Sequence, residues 1–448
     1  VPIPVFYCES CEHAMADADT MDKVADHMET TKLGIEAYHQ EAPEFFLGET
    51  KCPECGHDKF KAGQDILDVW FDSGVCHTAV QKQKDELDFP ADIYLEGSDQ
   101  HRGWFQTSLM SSVAAYGEPP FKALITHGFV NDAQGYKMSK SKGNVIDPAD
   151  IIKQYGAEIL RLWVAYEDYG QDVNVGQEMF KRISETYRRI RNTLRFMLGN
   201  LNDFDPQKDA VEFKDMPALD QWALMRLNKL VEKSTQAYED YNFYKVYHAL
   251  NNFFTVDLSA TYLDILKDRL YTGKADGLKR RSSQTVIYYM LDDLVKLMAP
   301  IVSFIAEETY EYIPGTKKQS VFLEDFPQVN KDWDNSEVYK DIQLILEVRS
   351  DVSKVLEDLR KEKVIGSSLE AAAVITANDQ KYEVLKKYEA DLNELFIVSS
   401  TTLKQGDFKV EAEKASGEKC DRCWNYCPDV NTNPDWPGVC PKCLEALT

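Results

Sequence analysis

The sequence has no long apolar run. Nothing in its 448 residues approaches the roughly 18 consecutive apolar residues that a membrane-spanning helix needs, so no membrane role is expected. The longest such stretch, Leu297 to Ala306, contains Pro300 and Ser303 and reads as a buried helix segment. There is no internal repeat and no low-complexity tract, which sets aside repeat arrays and disordered segments. Positive charge is also short. Lys and Arg number 51 against 75 Asp and Glu, a net charge of -24, so bulk electrostatics do not favour nucleic acid and any such partner needs a local basic face. The opening Val1-Pro2-Ile3-Pro4-Val5-Phe6 carries neither an initiator Met nor the charged start of a secretory signal, and reads as a point inside a larger protein. The ten cysteines come mostly as CxxC pairs, which favours metal ligation in a reducing, cytoplasmic setting over disulfides. With 44% hydrophobic residues, 22 Gly and 17 Pro, the composition is ordinary globular, and the length suits two to four domains.

Up to about Asp168, short apolar runs alternate with turns and helical stretches. Ala91 to Leu95 and Ala123 to His127 read as buried strands with a helix between them, the order of an α/β layer with a parallel sheet. Long helices follow Gly170. Ile183, Tyr187, Ile190, Leu194, Met197 and Leu201 form one apolar stripe. Further helical stretches cover Leu219–Glu239, Phe243–Tyr271 and Leu278–Ile313, and the Asp- and Pro-rich Asn202–Pro217 reads as a linker. Ala371–Thr376 and Phe396–Leu403 read as strands of a small α+β segment.

The most informative stretch is Asn131 to Asn144. Lys137-Met138-Ser139-Lys140-Ser141-Lys142 places three lysines and two serines between Gly135 and Gly143, directly after a strand. Attack on the α-phosphate of ATP needs such a loop, because negative charge builds on the phosphorus oxygens and departing pyrophosphate. Flanking glycines would let the loop close and reopen. The plain alternative is a solvated basic turn. A second stretch, Tyr94-Leu95-Glu96-Gly97-Ser98-Asp99-Gln100-His101-Arg102-Gly103-Trp104-Phe105, sits at a strand end, where open α/β sheets bind ligands; its alternative is a surface ion network. A third, Asp68-Val69-Trp70-Phe71-Asp72-Ser73-Gly74, is compatible with a packed aromatic strand ending in a turn.

Cys420, Cys423, Cys440 and Cys443 form two knuckles sixteen residues apart, a structural zinc spacing, with Cys427 surplus and iron–sulfur ligation as the alternative. Cys8, Cys11, Cys52 and Cys55 make a second candidate across a forty-residue gap, with His13 or His57 able to replace a thiol. About two zinc ions per chain are therefore expected. Cys76 stands alone in a presumed core. Lys181, Arg188 and Arg195 lie seven residues apart on one helical face; that segment carries six basic residues and one acidic, Glu185, a local ridge suited to a phosphate backbone or simply a solvated face. Lys279-Arg280-Arg281 at another helix start is a similar candidate.

These strings resemble the isoleucyl-tRNA synthetases of class I. Lys137 to Ser141 is similar to the second signature of that class, the Tyr94–Phe105 stretch to the segment that holds the aminoacyl-adenylate in the isoleucine enzymes, and Asp68–Gly74 to text shared with the valyl and leucyl relatives. The resemblance continues through Asp257–Arg269 to the terminal cysteines. It implies a multidomain chain. Residues 1–168 would form the second half of a Rossmann-type α/β catalytic core with the ATP loop, and 169–345 an all-α stem-contact and anticodon-binding domain. Residues 346–412 would be an α+β junction and 413–448 a zinc module. It implies ATP-dependent activation of isoleucine and its transfer to the 3′ end of tRNA(Ile) by an expected monomer, with Mg2+ accompanying ATP. By the same resemblance Lys137 and Lys140 are catalytic, and Met138, Ser139 and Ser141 bind ATP with them. Glu96, Gly97, Asp99, Gln100 and Trp104 bind the adenylate, and Lys181, Arg188 and Arg195 bind tRNA. A His-Ile-Gly-His type first signature and an editing domain do not occur in these residues. The alternatives are a valyl or leucyl relative, or a zinc-stabilised tRNA-binding fragment that does not catalyse on its own.

Overall fold

The computed structural model describes residues 3–448 and divides into two compact units, residues 3–129 with 169–172 and residues 130–168 with 173–448. The first unit begins with a three-stranded antiparallel sheet in the order β2-β1-β3, formed by β1 (Phe6–Cys8), β2 (Ala14–Met15) and β3 (Phe60–Ala62). Helix α1 (Ala18–Thr31) starts at Asp17, whose carboxylate accepts from the Thr20 amide at 2.9 Å, which holds this carboxyl below its usual range. Phe6, Tyr38 and Phe46 fill the small core between them.

Next comes α2 (Val69–Gly74), where the sequence suggests a strand. The Asp68 side chain accepts from the Trp70 amide at 2.8 Å and starts a helical turn; Trp70 and Phe71 are exposed on it. Strands β4 (Ala91–Gly97) and β5 (Phe121–His127) are parallel, with Tyr94 opposite Leu124 and Gly97 opposite His127. They are joined by α3 (Trp104–Tyr116), as expected for a βαβ unit. They are not the fully buried strands their composition suggests: Tyr94 is buried near α3, but Leu95 and Leu124 are exposed. Cys76 is half-buried rather than in a core.

The second unit opens with the short parallel pair β6 (Val130–Asn131) and β7 (Val173–Asn174), separated by α4 (Pro148–Tyr155) and α5 (Ala157–Tyr166). The apolar stripe then forms α6 (Gln177–Gly199), burying Ile183, Ile190, Leu194 and Met197. The linker before α7 (Ala218–Glu239) is irregular, as its composition suggests, and Val211 donates its amide to Thr285 Oγ1 at 3.1 Å. The next stretch is helical throughout: α8 (Phe243–Asn252), a π-helical segment Phe253–Tyr262, and α9 (Leu263–Thr272). The stretch Leu278–Ile313 is instead two helices, α10 (Leu278–Met298) and α11 (Ser303–Tyr312). Pro300 cannot continue the ladder. Arg161 donates to the carbonyl oxygens of Pro300 at 2.5 Å and Ile301 at 2.9 Å, and Glu158 accepts from the amides of Phe304 and Ile305.

Helix α12 (Ser336–Lys361), capped by Asn335, buries Ile342, Ile345, Val348 and Val352 in the same core as α7 and α10. Beyond it, β8 (Ala371–Ala377) lies between β9 (Ser400–Gln405), parallel, and β10 (Lys409–Lys414), antiparallel. The last expected strand starts four residues late, because Leu392–Phe396 is helical and Ile397 turns the chain with φ of 57°. The chain ends in a small hairpin and α13 (Pro441–Leu447).

One charge cluster lies inside the helical core. Arg269 of α9 is 5% exposed and pairs with Asp220 of α7 at 3.2 Å and with Glu394. Asp220 also accepts from Tyr262 at 2.6 Å and Ser282 at 2.6 Å. The Asp220→Ala variant should lower unfolding stability by about 3–5 kcal/mol, because it strips a partner from a buried guanidinium and two hydroxyls. Glu178→Ala, which breaks an exposed pair, should leave the denaturant midpoint unchanged. Equal small shifts would show that the cluster carries no such weight.

Candidate functional site

In the first unit the expected ligand segment lies at the carboxyl end of β4. Glu96 is exposed on the strand, and Gly97 is followed by a tight turn over Ser98–Arg102 leading into α3. Gln100 Oε1 accepts from the Trp104 amide at 3.1 Å and Gln100 Nε2 reaches Asp99 at 3.4 Å, so these residues brace one another. A side chain on Gly97 would meet Asp99 Oδ1 at 2.7 Å, so the position requires glycine unless Asp99 moves. Trp104 stacks on Tyr94 with centroids 4.3 Å apart and planes 6° apart, and its indole N–H donates to the Ser73 carbonyl at 3.0 Å. That bond links α2 to the same strand end. A cavity of about 380 Å³ opens here, lined by Ser98, Thr126, His127, Gly128, Gly170, Gln171 and Asp172. Of these seven only Ser98 lies in the stretch that the sequence marks as a ligand segment; the parallel pairing of Gly97 with His127 is the signal for the rest, since it brings two strand ends together.

In the second unit the lysine-rich loop is rigidly framed. Asp132 accepts from the amides of Gln134 and Tyr136 at 3.0 and 2.9 Å, and Asn144 Nδ2 donates to Asp132 Oδ2 at 2.7 Å. Asn144 Oδ1 in turn accepts from the Ser139 amide at 2.9 Å, so one asparagine ties the loop's two ends. The Asn144 bond, then the Tyr136 amide, holds the Asp132 carboxyl below its usual range. Ser139 caps a single turn over Lys140–Lys142, and Gly143 ends it with φ of 66°, a left-handed conformation glycine adopts without strain. Met138 and Ser139 are half-buried, whereas Lys137, Lys140 and Ser141 are exposed. Lys140 pairs with no carboxylate among the described residues. The loop thus presents ammonium groups on a frame held by its own side chains.

Both cysteine sets converge. The Sγ atoms of Cys8, Cys11, Cys52 and Cys55 lie within 4.8 Å of one another, and so do those of Cys420, Cys423, Cys440 and Cys443. Cys8–Cys55 and Cys11–Cys52 are 3.5 Å apart and Cys423–Cys440 3.7 Å, close to the spacing of about 3.8 Å that tetrahedral zinc with bonds near 2.3 Å requires. His13 and His57 join neither set; their carbonyls instead close the two N-terminal knuckles, accepting from the amides of Cys8 and Cys52. Cys427 is also outside, its Sγ accepting from the Asp429 amide at 3.4 Å. Burial opposes the Cys420 thiolate, but the amides of Cys423 and Cys440 outweigh it and hold the thiol at about 7. Burial pushes Cys440 up to about 11. Four thiols that cannot all ionise together without a cation are a donor set made for a divalent metal.

The basic ridge lies on the exposed face of α6. Arg188 and Arg195 pair with no carboxylate among the described residues, whereas Lys181 is bound by Glu178 at 2.5 Å and Arg191 faces Glu308 at 3.7 Å. The second basic candidate does not hold. Lys279 pairs with Asp391 and Glu394, and Arg280 grips Asp203 through two bonds of 2.7 and 2.9 Å, with Arg281 bound to Asp203 and Asp209. These cations pin the Asn202–Pro217 linker and the 389–396 segment. Asp203 responds with a pKa of about 2, chiefly from its Arg280 bonds.

Comparison with known families agrees with this geometry. A model of class I tRNA synthetases (I, L, M and V) matches residues 1–176, the anticodon-binding domain of tRNA ligases matches 220–375, and a zinc finger found in FPG and IleRS matches 417–446. A solved ternary complex of Agrobacterium radiobacter K84 agnB2 LeuRS with tRNA and LeuAMS shares the fold over 85% of this chain and 43% of that one, with a TM-score of 0.54 at 18% identity. The class is therefore that of the class I aminoacyl-tRNA synthetases. Within it, the chain belongs to the isoleucine-tRNA ligase family. It is 48% identical to the ligase of Syntrophotalea carbinolica and 47% identical to that of Geobacter sulfurreducens, over all of this chain and 50% of each relative. The chain spans about half the length of the curated relatives it matches.

Elemental analysis of the purified chain should find about two zinc ions, one lost in Cys55→Ser and the other in Cys443→Ser. One ion in the unaltered chain would remove the N-terminal site, and iron would overturn the assignment.

Proposed function

We propose that this chain supplies, within a full-length isoleucine-tRNA ligase, the second ATP signature, part of the adenylate site and the tRNA-binding surface. The substrates are isoleucine, ATP with Mg2+, and tRNA(Ile). The isoleucine carboxylate attacks the α-phosphate, pyrophosphate leaves, and the isoleucyl group passes to the terminal ribose of the tRNA. The observation that carries this reading is the Lys137–Ser141 loop, framed by Asp132 and Asn144 with Lys140 exposed and unpaired.

Lys137 and Lys140 stabilise charge on the phosphate oxygens that is largest in the transition state. Met138, Ser139 and Ser141 shape the loop around ATP. Glu96, Gly97, Asp99 and Gln100 bind the adenylate, and Trp104, fixed by Tyr94 and Ser73, lies beside the isoleucine side chain. Arg188 and Arg195 take phosphates of the tRNA, and Lys181 joins them when its Glu178 pair opens. Residues 1–168 act as the rear half of a Rossmann-type core, 169–345 as the stem-contact and anticodon domain, 346–412 as a junction and 413–448 as the zinc module, in a cytoplasmic monomer. The identity to isoleucine enzymes over all of this chain favours this over a valyl or leucyl relative.

In the full-length ligase, Lys140→Ala should slow isoleucine-dependent ATP–pyrophosphate exchange by about a hundred-fold or more while leaving the KM for isoleucine nearly unchanged. Unchanged exchange would remove Lys140 from the chemistry.

A further inference from the structure

Each C-terminal cysteine pair carries a cation directly before its second thiol: Arg422 precedes Cys423 and Lys442 precedes Cys443. Both reach the last turn of α9. Arg422 donates to the Thr272 carbonyl oxygen, and Lys442 pairs with the Asp268 carboxylate. Thr272 Oγ1 donates to the backbone carbonyl of Asp268 at 2.8 Å and to its carboxylate at 2.5 Å, so both anchors belong to a single turn. Cations are favoured there because the last carbonyls of a helix carry partial negative charge. A metal that fixes the two knuckles also fixes the spacing of the two cations.

The turn held in this way carries Tyr271, which is 61% exposed. Its ring meets Phe196 of α6 nearly edge-on, with centroids 6.4 Å apart and planes at 83°. Phe196 directly follows Arg195, a ridge cation that pairs with no carboxylate among the described residues. An exposed ring packed against the helix that carries the basic ridge suits single-stranded nucleic acid, in which phosphate meets the cations of that helix and an unstacked base meets the ring. Single exposed aromatics are common on protein surfaces; Tyr271 differs in having two cations of a separate module devoted to its turn.

We propose that Tyr271 is a stacking site for an unpaired RNA base, and that Arg422 and Lys442 are positioning residues that hold it in place. This rests on the reading of the chain as tRNA-binding. It gives the terminal zinc module a role that does not involve phosphate chemistry.

The test is equilibrium binding of a tRNA(Ile) transcript to the full-length ligase across a salt series. Tyr271→Ala should weaken binding roughly ten-fold without changing the salt slope, while Tyr271→Phe, which keeps the ring, should bind like the unaltered protein. Arg188→Glu and Arg195→Glu should each reduce the slope by about one. Lys442→Met should reproduce the Tyr271→Ala loss with its zinc retained, and the double variant should lose no more than either single one. If Lys442→Met sheds zinc, Asp268→Asn breaks the same contact from the α9 side. Full affinity in Tyr271→Ala while the arginine variants flatten the slope overturns the stacking site and leaves the tRNA reading intact. No effect in any variant overturns both. Additive losses in the double variant overturn the positioning role.

Discussion

The helical unit is organised around one buried positive charge. A guanidinium removed from water must be fully paired, and Arg269 finds its partners in Asp220 of α7 and Glu394 of the segment before β9. Two stretches distant in sequence are thereby tied to α9. Glu394 and its neighbour Asp391 also hold Lys279 at the start of α10, and the next two residues, Arg280 and Arg281, hold the linker through Asp203. The same helix passes its last turn to the zinc module through Asp268 and Thr272. Within five residues α9 therefore meets the core, the metal module and solvent. Apolar packing of α7, α10 and α12 supplies most of the driving force, but it is non-directional. The ion pairs favour one arrangement of those helices over others.

Much of this was readable in advance because local periodicity and spacing carry it. The stripe from Ile183 to Leu201 forms α6, and Ala371–Ala377 alternates buried and half-buried residues as a strand should. The CxxC pairs predict both thiol clusters, although only the structure removes His13, His57 and Cys427 from them. What was not readable depends on partners far away in the chain. Arg269 follows Lys267 and Asp268 in a helix of mixed polarity that gives no sign of its burial, and its acids lie 49 and 125 positions away. Arg280 and Arg281 look like a nucleic-acid patch until Asp203 and Asp209 are seen beside them. Asp68–Gly74 has strand-like composition, yet one capping carboxylate turns it into a helix. Pro300 announces a break, but the arginine and glutamate that satisfy the freed backbone groups come from α5.

The two thiol clusters do related work at opposite ends of the sequence. The β1–β3 module has only a small apolar core and the C-terminal hairpin a smaller one, and four thiolates around one ion supplement each at small cost in chain length. Neither cluster belongs to the residues proposed to act on ATP and the adenylate, which lie on the β4 end and the Asp132–Asn144 loop. Metal and chemistry are thus separate in the sequence, and the metal acts by holding protein in place.

The proposed function makes this chain part of an enzyme that activates isoleucine. The most direct measurement is amino-acid-dependent ATP–pyrophosphate exchange by the full-length protein, with isoleucine, valine and leucine each supplied in turn. Robust exchange is expected with isoleucine, weaker exchange with valine and little with leucine, since a pocket that fits isoleucine separates it from a smaller or differently branched side chain by packing alone. Exchange driven by leucine or valine ahead of isoleucine, or by none of the three, would contradict it.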